Sequence, residues 1–113
     1  MADHIKIRPA QGTWVVRAGG AVLGESDDAL EMIEGDYPPM IYFPRADFAT
    51  AFLEPSATRS SCPYKGEATY YSIAAPTGTI RDAIWSYETP KAGVEPIAGY
   101  LAFYRNKVEL EQV

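Results

Sequence analysis

The sequence predicts a mainly β, single compact domain of about eight short strands, and three features lead to that reading. Nine glycines and nine prolines are spread along the 113 residues, cutting the chain into short elements joined by turns. Between them lie segments of Val, Ile, Tyr, Phe and Trp that alternate with polar residues, the two-residue period of a half-buried strand. The length suits one domain and is enough to bury a core without disulfide or metal staples.

The elements follow in order. Ile5 and Ile7 alternate with polar neighbours, Pro9 to Gly12 supply a turn, and Trp14, Val15 and Val16 lie in Thr13 to Arg17, so the opening reads as a hairpin. Gly19-Gly20 can adopt positive φ and close a second tight turn into Ala21 to Leu23. Ser26 to Glu34 fits two patterns. Ser26 followed by Asp27-Asp28, with Leu30 and Ile33 three apart, suits a capped helix; Leu30, Met32 and Glu34 on one side suit a strand. Met40 to Phe43 form a strand between Pro38-Pro39 and Pro44, and Asp47 can cap a helical turn through Ala49 to Leu53. Glu67 to Ile73, Ala83 to Tyr87 and Ile97 to Arg105 are the strongest strands. The second of them sets Trp85 and Tyr87 on one face, and the third alternates Leu101 and Phe103 with Tyr100 and Tyr104. Asn106 turns the chain into a last strand at Lys107 to Leu110.

Composition narrows the function. A net charge of −5, with ten scattered basic residues, opposes a polyphosphate partner and argues against nucleic acid. No apolar run approaches the ~20 residues that span a bilayer, so no membrane partner is expected. The N-terminus lacks the basic start and apolar stretch of a secretory leader. One cysteine, Cys62, cannot form an internal disulfide, which suits a reducing compartment. The chain is expected to be cytoplasmic. A homodimer through an edge strand stays open.

The run Tyr42-Phe43-Pro44-Arg45-Ala46-Asp47, then Cys62-Pro63-Tyr64-Lys65-Gly66-Glu67-Ala68-Thr69-Tyr70-Tyr71, resembles the domain-of-unknown-function family 427. Trp85-Ser86-Tyr87 with Pro90, and Gly99 to Tyr104, fit its pattern as well, so the likeness runs from about Ile5 to Leu110. The resemblance implies an all-β domain with the β-tent topology of certain zinc-binding domains and methionine sulfoxide reductase B, and it favours a strand over Ala29 to Glu34. The zinc-binding relatives use cysteine pairs, whereas this chain has Cys62 alone. The family is sometimes labelled a nucleotidyltransferase domain, but no activity is established for it. The chain has no Gly-x-x-x-x-Gly-Lys-Ser/Thr and no Gly-x-Gly-x-x-Gly to support a nucleotide site.

Four groups of residues carry candidate chemistry. Pro63 presets a β-turn whose ends come within about 7 Å, which would make Cys62 and Lys65 neighbours and let Gly66 leave at positive φ. An ammonium beside a thiol favours thiolate, so Cys62 and Lys65 are the candidate catalytic pair; the alternative is a structural turn with an inert buried thiol. Arg45, just past a strand end, could clamp a carboxylate or phosphate with Asp47 beside it, or form a local salt bridge or turn. Trp85 and Tyr87, with Tyr42 and Tyr70 on neighbouring strands, could wall a small-ligand pocket or face a core. Glu34 could serve as a general acid or base if buried, and Asp27-Asp28 reads more simply as a solvated turn. The single histidine, His4, stands near the chain terminus and makes a Cys-His or Ser-His-Asp set improbable. With so few ligand-type residues clustered, no metal and no other cofactor is expected.

The residues therefore predict a binding module whose cleft, near Cys62, Lys65, Arg45 and Trp85, takes a small anionic or aromatic metabolite. A metal-independent enzyme using Cys62 as nucleophile or redox centre ranks second. An interaction domain with a partner on a strand edge or aromatic face ranks third.

Overall fold

The computed structural model describes residues 4–113; Met1 to Asp3, part of the stretch scanned for a leader, lie outside the described residues. The chain is mainly β, with ten strands in three antiparallel sheets. The first sheet has the order β1 (Ile5–Pro9), β4 (Leu30–Glu34), β5 (Met40–Tyr42). The second has the order β10 (Glu109–Gln112), β2 (Trp14–Ala18), β3 (Ala21–Ser26). The third runs β6 (Leu53–Cys62), β7 (Gly66–Ala75), β8 (Gly78–Ser86), β9 (Ala102–Phe103). Single 3-10 turns lie at Arg45–Asp47, Thr50–Phe52 and Glu95–Ile97. Among the described residues no helix is long and apolar enough to cross a membrane.

Alternation along the third sheet explains the layering. Ile73, Ile84 and Phe103 project to one face and join Val16, Leu23, Phe43, Phe48, Leu101 and Leu110 in a fully packed cluster against the second sheet. Ala68, Tyr70, Trp85 and Ala102 project to the other face. There they meet Ile5, Met32, Tyr42, Tyr87, Val94 and Ile97 in a second cluster beneath the first sheet. The first and third sheets are joined where Phe43 and Leu101 exchange backbone hydrogen bonds of 2.8 Å in both directions.

This division corrects the expected opening hairpin. β1 pairs with β4, Ile5 opposite Glu34 through Pro9 opposite Leu30, and β2 pairs with β3 and β10. Ile5 belongs to one apolar cluster and Val16 to the other, so a direct hairpin would strand one set of side chains in the wrong layer. The turn after β2 does form as read, with φ of 56° at Gly19 and 84° at Gly20. Leu30–Glu34 is a strand, and Ser26 ends β3 with its hydroxyl accepting from Asp28 N. Asp47 caps no helix: it ends a 3-10 turn, and its carboxylate accepts from Ser26 Oγ at 2.6 Å.

Three further differences have local causes. The segment read as a strand from Ile97 to Arg105 is reduced to Ala102–Phe103, because Pro96 opens a 3-10 turn and Gly99 takes φ 74°. The last strand begins at Glu109, since Lys107 and Val108 close a turn onto the Tyr104 carbonyl. β6 has no counterpart in the sequence reading. It is an edge strand of Leu-Glu-Pro-Ser-Ala-Thr-Arg-Ser-Ser-Cys, exposed over most of its length, so no apolar alternation marks it. Its register slips between Pro55 and Arg59, next to a second slip in β7 between Tyr71 and Ile73. Asp82, at φ 48°, holds the site: it accepts from Ser56 Oγ and Thr58 Oγ1, and its N–H donates to Ser72 Oγ.

Candidate functional site

The second apolar cluster is not fully covered. β4 and β5 lean over β7 and β8 and leave a cleft of about 660 Å³, within the range of small-ligand sites. Strand geometry sets its walls. Tyr70 and Trp85 lie opposite each other across β7 and β8, while Met32 and Met40 are a register pair of β4 and β5. Tyr42, two residues beyond Met40, points the same way. Tyr87, Tyr104, Glu34 and Lys65 complete the interior, and Tyr37, Pro38 and Pro39 form a lip.

The aromatic wall is ordered by its own contacts. The Trp85 and Tyr104 rings are tilted at a centroid distance of 4.6 Å, and Tyr70 stacks on Tyr104 at 6.4 Å. The two phenol oxygens are 3.3 Å apart, and Ser60 Oγ lies 2.8 Å from that of Tyr70. Burial pushes the Tyr42 phenol well above its ordinary range, reinforced by Tyr87. Burial, then the neighbouring Cys62, Tyr70 and Glu34, pushes Tyr87 up to about 12. Tyr104 is also pushed up to about 12, by burial and then by Tyr70. At neutral pH Tyr42, Tyr87 and Tyr104 therefore bring no charge to the wall.

Charge enters at one end. The turn between β6 and β7 is closed by the pairing of Cys62 with Gly66, and Gly66 takes φ 112°. Lys65 is swung inward, with its side chain only 11% exposed. Its ammonium donates to Glu34 Oε1 at 2.7 Å and lies 3.6 Å from Cys62 Sγ. The Lys65 hydrogen bond, opposed by burial and helped by the Lys65 charge, holds Glu34 below the usual carboxylate range. Glu34 Oε2 is 3.5 Å from His4 Nε2, and the His4 ring meets Tyr64 edge-on at 4.6 Å. The turn is braced from outside by the Lys91 N–H donating to the Lys65 carbonyl and Lys91 Nζ donating to that of Pro63.

Cys62, Lys65, Tyr42, Tyr70, Trp85 and Tyr87 are thus brought to one place, with Cys62 behind Lys65 rather than on the open wall. Arg45 and Asp47 are not part of it. Arg45 donates to Ser86 Oγ, and Ser86 follows Trp85 on β8, so the two side chains leave opposite faces of the sheet. On that far face Arg45 also donates to Glu88 at 2.8 Å and to the Gly99 carbonyl at 3.1 Å, with its guanidinium 5.2 Å from the Tyr71 ring centre. Glu88 further accepts from Tyr71 Oη at 2.6 Å and from Thr69. Burial would raise Glu88, but the Tyr71 bond and the Arg45 charge outweigh it and leave the carboxyl below its usual range. Asp47 lies away with Ser26.

The sequence reading missed Tyr104, Arg105, Met32 and Met40 as wall residues. Tyr104 carried a signal, since it shares the aromatic alternation after Gly99; the methionines read only as strand residues. Arg105 also borders a second, more polar cleft of about 560 Å³, where Arg8, Glu31 and Trp14 stand with Pro39, which belongs to both. Among the described residues, no three of His, Cys, Asp or Glu cluster to hold a metal.

No curated protein matched the chain in sequence. A family model described as "Domain of unknown function (DUF427)" matches residues 6–113, nearly the whole chain and both sides of the cleft. The chain belongs to the DUF427 family of domains of unknown function.

Proposed function

We propose that this protein is a small-molecule-binding β domain, with the aromatic cleft between β5 and β7–β8 as its ligand site. The observation that carries the reading is an open cleft walled by Tyr42, Tyr70, Trp85, Tyr87 and Tyr104, with the Lys65–Glu34 ion pair at one end. Uncharged aromatic walls reward a flat apolar body through area burial and ring contact, and a few fixed polar groups orient it. The natural ligand class is an aromatic or anionic metabolite.

A thermal-shift screen of aromatic acids and amines tests this. A ligand at a hundred times its Kd adds about 2.7 kcal/mol, roughly a ten-degree rise for a domain of this size. The rise should vanish in Trp85→Ala and persist in Arg45→Ala. Hits that stabilise Trp85→Ala as well as the parent would place binding elsewhere.

One observation favours a second reading, an enzyme with Cys62 as nucleophile: the Lys65 ammonium stands 3.6 Å from Sγ. Glu34 competes for that ammonium at 2.7 Å, and this weighs against it. Alkylation of native Cys62 at neutral pH that slows in Lys65→Ala would support the thiol reading; labelling only on unfolding would remove it.

A further inference from the structure

Three cations line the two clefts, and they differ in what they face. Lys65 is paired with Glu34 at 2.7 Å, and Arg8 faces Glu31 at 3.5 Å. Arg105 borders both clefts, and among the described residues no carboxylate pairs with it. It donates to the Leu110 carbonyl at 2.7 Å. A guanidinium carries five N–H donors in a planar fork, so that bond tethers one nitrogen of the exposed side chain and leaves the rest of the fork available. Arg105 follows Tyr104 directly, whose ring is part of the stacked wall. A flat body lying on Trp85 and Tyr104 would therefore have a positioned cation at its edge.

We propose that Arg105 is the anion anchor of the cleft, and that the ligand is an organic anion: a flat apolar body on the Trp85–Tyr104 wall with a carboxylate, sulfonate or phosphate held by Arg105. The inference rests on the aromatic cleft being the ligand site, and it assigns the charge recognition there. Two arguments support an anion. A tethered guanidinium with no carboxylate partner among the described residues is suited to bidentate capture of a planar or tetrahedral oxyanion. With Lys65–Glu34 and Arg8–Glu31 each paired, Arg105 is the charge left without a partner among the described residues of the two clefts, and a cationic ligand would meet it with no free carboxylate to offset it.

The test uses two fluorescent probes of similar shape: 1-anilinonaphthalene-8-sulfonate, an anion, and N-phenyl-1-naphthylamine, its neutral counterpart. Both should bind saturably, one per chain, and quench Trp85. In Arg105→Gln the sulfonate should bind about tenfold more weakly, the loss expected for one charge-assisted contact, while the neutral probe keeps its affinity. Arg105→Lys, which retains the charge but not the planar fork, should recover part of the sulfonate affinity and guards against a general loosening of the β9–β10 turn. Equal sulfonate affinity in Arg105→Gln and the parent would overturn the anchor. So would a parallel loss of both probes in Arg105→Gln and Arg105→Lys, which would make Arg105 a wall support. If the parent binds neither probe, the cleft reading falls together with the anchor; if it binds the neutral probe alone, only the anchor falls.

Discussion

The two faces of the β6–β9 sheet use similar residues to different ends. On the closed face Phe43, Phe103, Ile73 and Ile84 are wholly buried, and the cation at its margin, Arg45, is engaged by Glu88, Ser86, Tyr71 and a backbone carbonyl. On the open face Trp85, Tyr70 and Tyr104 pack side by side beneath a cleft, and the cation beside them, Arg105, has no acidic partner among the described residues. An arginine next to an aromatic residue is therefore not in itself a binding feature. What separates the two is whether the partners that satisfy the guanidinium are already supplied by the fold.

That contrast predicts a separation of stability from binding. Phe103→Ala on the closed face should lose about 3–5 kcal/mol in urea unfolding, as a large buried ring leaves a cavity. Trp85→Ala on the open face, partly buried against the second cluster, should lose less, roughly 2–3 kcal/mol, and yet abolish probe binding. Equal stability losses would mean that the cleft is filled in solution.

Glu34→Gln sharpens the comparison at the charged end. It leaves the nearly buried Lys65 ammonium without its carboxylate and should cost about 1–3 kcal/mol at neutral pH. Glu34 is depressed below its ordinary 4.5 in the folded protein. Its contribution is therefore fully present above that value and fades as pH falls through the lower, folded one. The gap between parent and variant should close in acid; a gap constant from neutral pH down through strong acid would contradict the pairing.

Arg45→Ala should cost less, about 1 kcal/mol, because both Arg45 and Glu88 are about a third exposed and solvent screens the pair. Probe affinity should not change. Tyrosine titration adds a check at high pH. Tyr87 and Tyr104 should ionise near pH 12, later than exposed tyrosines. Stability should fall as pH rises above 10, where the unfolded chain releases those protons first. Ionisation of Tyr87 and Tyr104 near the ordinary value of 10 in the native state would contradict the burial.

Much of this was legible in the sequence, and the failures are instructive. Alternation located β2, β7 and β8 because each is apolar on at least one face, whereas β4 fitted a helix as well as a strand and only the family resemblance favoured the strand. Alternation could not see β6, whose polar sequence lies on an exposed edge, nor could it decide that β1 seeks β4 rather than β2, since pairing depends on which core each strand serves. The turn at Cys62 to Gly66 was readable from Pro63 and Gly66, and so was the approach of Lys65 to Cys62. Glu34 as the partner of Lys65 was not, for the two are brought together by the packing of separate sheets. Arg45 drew attention by its place after a strand, but side-chain direction on β8 decides which face it serves, and Glu88 carried no signal of its own.

The central claim, that the open face is the ligand site, is tested most directly by following the two indole N–H resonances while titrating 1-anilinonaphthalene-8-sulfonate. The chain has two tryptophans, Trp85 on the aromatic wall and Trp14 in the second cleft with its indole N–H donating to Gln11 O at 3.0 Å. The account predicts a saturable shift of the Trp85 resonance, with Trp14 moving less. A shift of Trp14 alone, or saturable binding that leaves Trp85 in place, would contradict it.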